Sequence, residues 1–160
     1  MKKQQQKLQQ AALDTLPHWR NSDVLAVTLT MKQNVLIDYY WHRLDRIKAE
    51  KNLRHFINLV SRKTFKSAHR RKHVTIQIIP SLQRAPLTRR LHYHALILVP
   101  SVIDPDTFKQ HIRESWKQTY FGDDQIDIQD AYDVTGFASY MTRDPRDPNI
   151  DWLNLHIADA

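Results

Sequence analysis

Hydrophobic and polar positions alternate most clearly near the middle of the chain. Leu91-His92-Tyr93-His94-Ala95-Leu96-Ile97-Leu98-Val99-Pro100 is rich in large apolar residues and is bounded by a basic turn and a proline. This predicts a central β-strand. Its period of two sets His92, His94, Leu96 and Leu98 on one face, and Tyr93, Ala95, Ile97 and Val99 on the other. Val24–Thr30 predicts a first strand, with Thr28 and Thr30 on one face and Leu25, Val27 and Leu29 on the opposite one. His73–Ile79 alternates up to Pro80 and predicts another strand, turned back by 81–90 into the histidine strand as an antiparallel hairpin. Ile126–Gln129 predicts a short strand after the turn Phe121-Gly122-Asp123-Asp124.

Helical spacing marks three segments. From Asp38, a candidate N-cap, to about Lys66, the residues Leu44, Ile47, Leu53, Phe56, Ile57 and Val60 form one stripe. Asp104–Gln118 carries a cap, a proline at the first helical position, and Phe108, Ile112 and Trp116 four apart. Ala131–Arg143 places Val134, Phe137, Ala138 and Met141 together, and Asp144–Pro148 ends it. Residues 150–155 read as a closing element. Residues 1–22, beginning with a Lys/Gln-rich tract, read as a frayed helix or arm ahead of one domain over 23–160. The predicted fold class is α+β: a β-α-β-β-α-β core of the ferredoxin-like kind with an antiparallel sheet and an appended C-terminal helix.

Composition narrows the functional classes. The 160 residues hold no cysteine, which excludes disulfides, thiolate nucleophiles and cysteine-based zinc sites. No apolar run reaches membrane-spanning length, and Met1-Lys2-Lys3 leads into glutamines rather than a signal-peptide core, so the expectation is a cytoplasmic protein without a membrane partner. The net charge of +7 points to a polyanionic partner, most commonly nucleic acid. Arg70, Arg71, Lys72, Arg89 and Arg90 are candidate phosphate contacts. His92 and His94 have two readings, an incidental pair in a chain with nine histidines, or two imidazoles that share a metal ion.

The last helix offers a possible nucleophile. Gly136 lies four residues before Tyr140, and Arg143 lies three after it, on one helical stripe. Gly136 would leave space beside the phenol ring. Arg143 would favour the phenolate and bind a phosphate oxygen. The alternative is a half-buried core tyrosine with a surface arginine beside it.

His92-Tyr93-His94 on a strand, Tyr140-Met141-Thr142-Arg143 on a later helix and an early Thr28-Leu29-Thr30 strand together resemble the single-tyrosine HUH endonucleases. The branch they look most like is the rolling-circle replication initiators of plasmids and filamentous phages. The likeness spans roughly residues 24–146. It implies that His92 and His94 are metal ligands, that Gln83 stands where the family often supplies a third, and that Thr28 and Thr30 meet DNA. It also implies that Tyr140 is the nucleophile, with Arg143 where lysine is usual. The implied cofactor is Mn2+ or Mg2+. The implied reaction is nicking and transfer of single-stranded or hairpin DNA through a 5′-phosphotyrosyl link, with a host helicase as a second partner because the chain has no room for a helicase domain. Three alternatives share these features: a related transposase or mobilisation relaxase, a metal-dependent nuclease that hydrolyses without a covalent link, and a non-catalytic nucleic-acid-binding module. Tyr93, the only aromatic inside the predicted strands, makes a poor stacking platform for the last of these.

Overall fold

A computed structural model of the chain describes residues 16–19, 23–141 and 150–157, together with isolated helical positions between 3 and 14. The described part is an α+β fold. Four strands form the main sheet: β1 (Val24–Met31), β4 (Ile78–Arg84), β5 (Leu91–Leu98) and β6 (Gly122–Asp130). Their order is β4-β5-β1-β6, and every neighbouring pair is antiparallel. A separate hairpin, β2 (Asn34–Ile37) with β3 (Tyr40–Arg43), stands outside that sheet. The helices are α1 (Arg46–Phe65), α2 (Ser67–Lys72), α3 (Pro105–Lys117) and α4 (Val134–Met141).

The two faces of the sheet are covered unequally. Leu25, Val27, Leu29, Tyr93, Ala95 and Ile97 pack against α1 through Leu53, Phe56 and Ile57, and against α3 through Phe108, Ile112 and Trp116. Trp116 meets Phe56 edge-on with ring centroids 5.4 Å apart, and its indole N–H donates to the Thr30 carbonyl. On the opposite face, Val24, Leu96 and Ile79 pack with Trp19, Val134 and Ala138. That apolar half gives way along β5 to His94 and His92.

The caps explain two of the helices. Asp45 accepts from the Lys48 amide at 2.8 Å to start α1, and Asp104 accepts from the Thr107 amide at 2.9 Å to start α3, with Pro105 at its first position. The expected start of the long helix at Asp38 is incorrect. Asp38 and Tyr39 instead form the two-residue turn of the β2–β3 hairpin, with φ of 47° and 69°. Two successive positive φ values give the turn whose twist matches its strands. Ile47, placed on the buried stripe, is exposed.

Two strands also shift. The segment expected to be a strand over 73–79 enters the ladder at Ile78 and continues through Pro80 to Arg84. The proline is tolerated because β4 lies at the sheet edge and its missing donor faces away from β5. On that side the Pro80 carbonyl accepts from the Asp151 amide, and Ile78 pairs with His156, so 150–157 closes the edge as the sequence suggested. β6 begins at Gly122 rather than Ile126. A Cβ on Gly122 would stand 2.0 Å from the Trp116 carbonyl oxygen, so only glycine lets β6 leave α3 this closely.

Candidate metal and nucleic-acid site

Strand register assembles the candidate site. Opposite His94 stand Thr28 on β1 and Ser81 on β4; opposite His92 stand Thr30 and Gln83. Residues directly opposite share a face. Register therefore gathers His92, His94, Gln83, Thr28 and Thr30 on the side of the sheet away from α1 and α3. Asp127, opposite Thr28 on β6, joins the same face, and its carboxylate accepts from Gln129 at 3.0 Å.

The two histidines converge. Their Nε2 atoms are 3.2 Å apart, with the rings edge-on at 89°. His92 Nδ1 lies 3.3 Å from the Arg90 carbonyl, which can only accept, so the proton sits on Nδ1 and the Nε2 lone pair is free to ligate. His94 Nδ1 lies 3.1 Å from the Thr28 hydroxyl, which can accept in the same way. Burial, and secondarily the charge of His92, lowers the His94 pKa to about 4, so its ring is neutral at physiological pH. Two ligand nitrogens about 2.1 Å from one ion, as in zinc–histidine bonds, subtend roughly 100° at this separation, which suits a tetrahedral or octahedral ion. The pair and its hydrogen bonds thus fit a divalent cation. Among the described residues, no group of three or more His, Asp or Glu side chains gathers to hold one. Gln83, beside His92, donates to the Ser81 hydroxyl at 3.5 Å.

The helix α4 crosses this same face. Phe137 lies edge-on to His94, with ring centroids 6.4 Å apart, while Val134 and Ala138 pack in the cluster with Leu96. Tyr140 follows Phe137 by three residues in the last turn of α4. The Tyr140 side chain and the whole of Arg143 lie outside the described residues. Gly136 has a role at the start of the helix. It sits in the first turn of α4, where its amide donates to the Asp133 carboxylate at 2.8 Å, and a Cβ there would meet that carboxylate at 2.1 Å. Its small size serves the helix cap.

The basic candidates fall into two groups. Arg89 and Arg90 are exposed in the β4–β5 turn, next to His92. Arg90 also reaches Asp123 at 3.7 Å across a cleft of about 490 Å³ lined by His92, Thr30, Thr88 and Gln125. Arg70, Arg71 and Lys72 are exposed on α2. This helix follows the end of α1 that packs beside Leu98 and Val99, at the other end of β5 from His92. The length of β5 alone separates the groups by roughly 20 Å. Thr30 donates to the Gln125 carbonyl and ties β1 to β6 across a bulge. Tyr93 is buried on the helix-covered face and donates to Asp151 at 2.8 Å, and no nucleic-acid base can reach it there.

Sequence reasoning missed the aromatics of the β2–β3 hairpin. Tyr39, Tyr40 and Trp41 are 96%, 74% and 73% exposed. The run Asn34–Arg43 is rich in β-branched and aromatic residues, the one signal that could have marked it as strand. Comparison of the chain with known protein families, with curated proteins and with solved structures finds no match.

Proposed function

We propose that the protein nicks and transfers single-stranded DNA through a covalent tyrosyl intermediate, as an HUH-type endonuclease on a ferredoxin-like fold. The convergence of two histidine Nε2 atoms on the sheet face crossed by α4 is the observation that carries this reading. The strand order β6-β1-β5-β4, with α1 and α3 on one face, supports the ferredoxin-like arrangement. The role of replication initiator for a plasmid or phage comes from the resemblance of the histidine and tyrosine motifs, and a related transposase or mobilisation relaxase would use the same chemistry.

In this reading His92 and His94 hold a divalent ion, with Gln83 as a further oxygen donor. Once bound, the ion supplies Lewis-acid polarisation of the scissile phosphate. Arg90 and Arg89 hold the flanking phosphates beside it. Tyr140 attacks phosphorus: its O–P bond forms, the P–O3′ bond breaks, and the phenolic proton passes to the departing 3′-oxygen by way of solvent. Arg143 stabilises the phenolate but relays no proton, because guanidinium stays protonated. One phosphodiester replaces another, so a second 3′-hydroxyl can reverse the step and join strands.

The test is incubation with end-labelled single-stranded oligonucleotides and Mn2+, followed by a denaturing gel. The expected product is a protein–DNA adduct that survives boiling, is absent with EDTA, and is missing from Tyr140→Phe and from the His92→Ala/His94→Ala double variant. Cleavage that persists in Tyr140→Phe refutes the covalent route and favours hydrolysis. A second reading has its own observation: a separation of 3.2 Å is also that of an N–H···N hydrogen bond between the rings. A binding module without metal follows from it. Calorimetric titration with Mn2+ that detects no binding, with no adduct on any strand, selects this reading.

A further inference from the structure

The β2–β3 hairpin leaves the sheet at the same end as His92. β1 ends at Met31, one residue beyond Thr30, which stands opposite His92. Gln33 then locks the hairpin base to β5. Its amide nitrogen donates to the Leu91 carbonyl at 3.1 Å, and its amide oxygen accepts from the Leu91 amide at 3.0 Å, one residue before His92. The Leu44 amide closes the base by donating to the Gln33 carbonyl at 2.7 Å. From this fixed base the hairpin extends four residues per strand, roughly 13 Å.

Its two faces differ. Val35 and His42 are cross-strand partners on the half-buried inner face, and Val35 packs on the main core. Leu36 and Trp41 are partners on the outer face, with Asn34 and Arg43 the next pair. Leu36 is 53% exposed, so the outer face presents a large indole, a supporting leucine and a guanidinium two residues along the strand. Tyr39 sits in the turn, and Tyr40, the partner of Ile37, is exposed on the opposite face from Trp41. Exposed aromatics of this size on a short hairpin add nothing to the core, since the chain folds Trp116 and Tyr93 inward fully and leaves these out. Every nucleic-acid base has a π-face, so an aromatic next to a cation suits unpaired nucleotides of any sequence. The chain's excess of positive charge favours the same occupant.

Resting on the DNA-nicking reading, we infer that the β2–β3 hairpin is a base-stacking arm for single-stranded DNA, with Trp41, backed by Leu36, holding an unpaired base and Arg43 a phosphate as the strand passes to the His92/His94 site. Double-stranded DNA offers no free base faces along its length and gains nothing from the arm.

Fluorescence anisotropy with a labelled oligo-dT strand tests this in EDTA, so that nicking plays no part. Trp41→Ala should bind the strand about tenfold more weakly than the unchanged protein, with an unaltered salt slope. Arg43→Ala should lower the salt slope, and a labelled duplex should bind the parent and Trp41→Ala equally. Circular dichroism of Trp41→Ala should match the parent, because an exposed side chain leaves the core intact. Equal binding of the strand by Trp41→Ala and parent overturns the inference, as does an equal weakening on duplex. A parent that binds no strand but forms a dimer dissolved by Trp41→Ala also overturns it, in favour of a second copy as occupant. If no adduct forms with Mn2+ while Trp41→Ala still binds the strand more weakly, the nicking proposal fails and the stacking arm stands.

Discussion

Among the described residues, His94 meets Thr28 at Nδ1, His92 at Nε2 and Phe137 against its ring. Its pKa falls to about 4 because burial, and then the charge of His92, disfavours the imidazolium. The folded state therefore binds fewer protons here than the unfolded chain, whose histidine titrates near 6.5. The stability from this group is complete above pH 6.5 and is lost as pH falls toward 4. His156 is shifted in the same direction, first by burial and then by the charge of Arg54, so a difference between variants isolates His94. Urea unfolding in EDTA should show the parent's midpoint falling over this window more steeply than that of His94→Gln. Equal pH slopes would mean that the ring is solvated and charged when folded. The shared face of His92 and His94 was legible from the period of a strand. The hydroxyl that orients His94 was not, because Thr28 lies 66 residues away and only register brings the two together.

Among the elements, those whose signals are local were legible. The α3 helix carries its own cap, its own proline and its own apolar spacing, and it forms where these predict. The β2–β3 hairpin escaped because its turn is Asp38-Tyr39 rather than the glycine-containing pair that usually takes positive φ. The true extent of β4 escaped for a complementary reason: Pro80 is a stop signal in a central strand but not at an edge. The junction of α3 and β6 depends on one glycine. Gly122→Ala drives a Cβ into backbone at the Trp116 carbonyl, where no rotamer can yield. It should destabilise the protein by about 1–3 kcal/mol in thermal or urea unfolding, with overpacking as the cause. A neutral result would show that β6 can draw back from α3 at no cost.

For the molecule as a whole, the separation of the basic residues has a consequence. Arg89 and Arg90 adjoin His92, whereas Arg70, Arg71 and Lys72 sit on α2 at the other end of β5. Under the proposed nicking function, replacing Arg89 and Arg90 by alanine should reduce single-turnover nicking as well as affinity for single strands. Replacing the three residues of α2 should weaken binding and lower the salt slope by about 0.7 for each phosphate that is no longer neutralised. Once that variant is saturated with DNA, its nicking rate should match the parent's. A rate defect at saturation in the α2 variant alone would place the scissile phosphate elsewhere. Among the described residues no helix is long and apolar enough to cross a membrane. By itself the sequence determined the α+β class, the strand bearing His92 and His94, the helices α1 and α3 over most of their lengths, and the basic character, because periodicity, capping and charge act over a few residues. Tertiary structure alone decided that Thr28 and Gln83 stand beside those histidines, that α4 crosses their face, that the arginines divide between two ends, and that the three aromatics of the β2–β3 hairpin are left in solvent. Each of these depends on strand register or on a turn, where residues far apart in the chain meet in ways that no local pattern encodes.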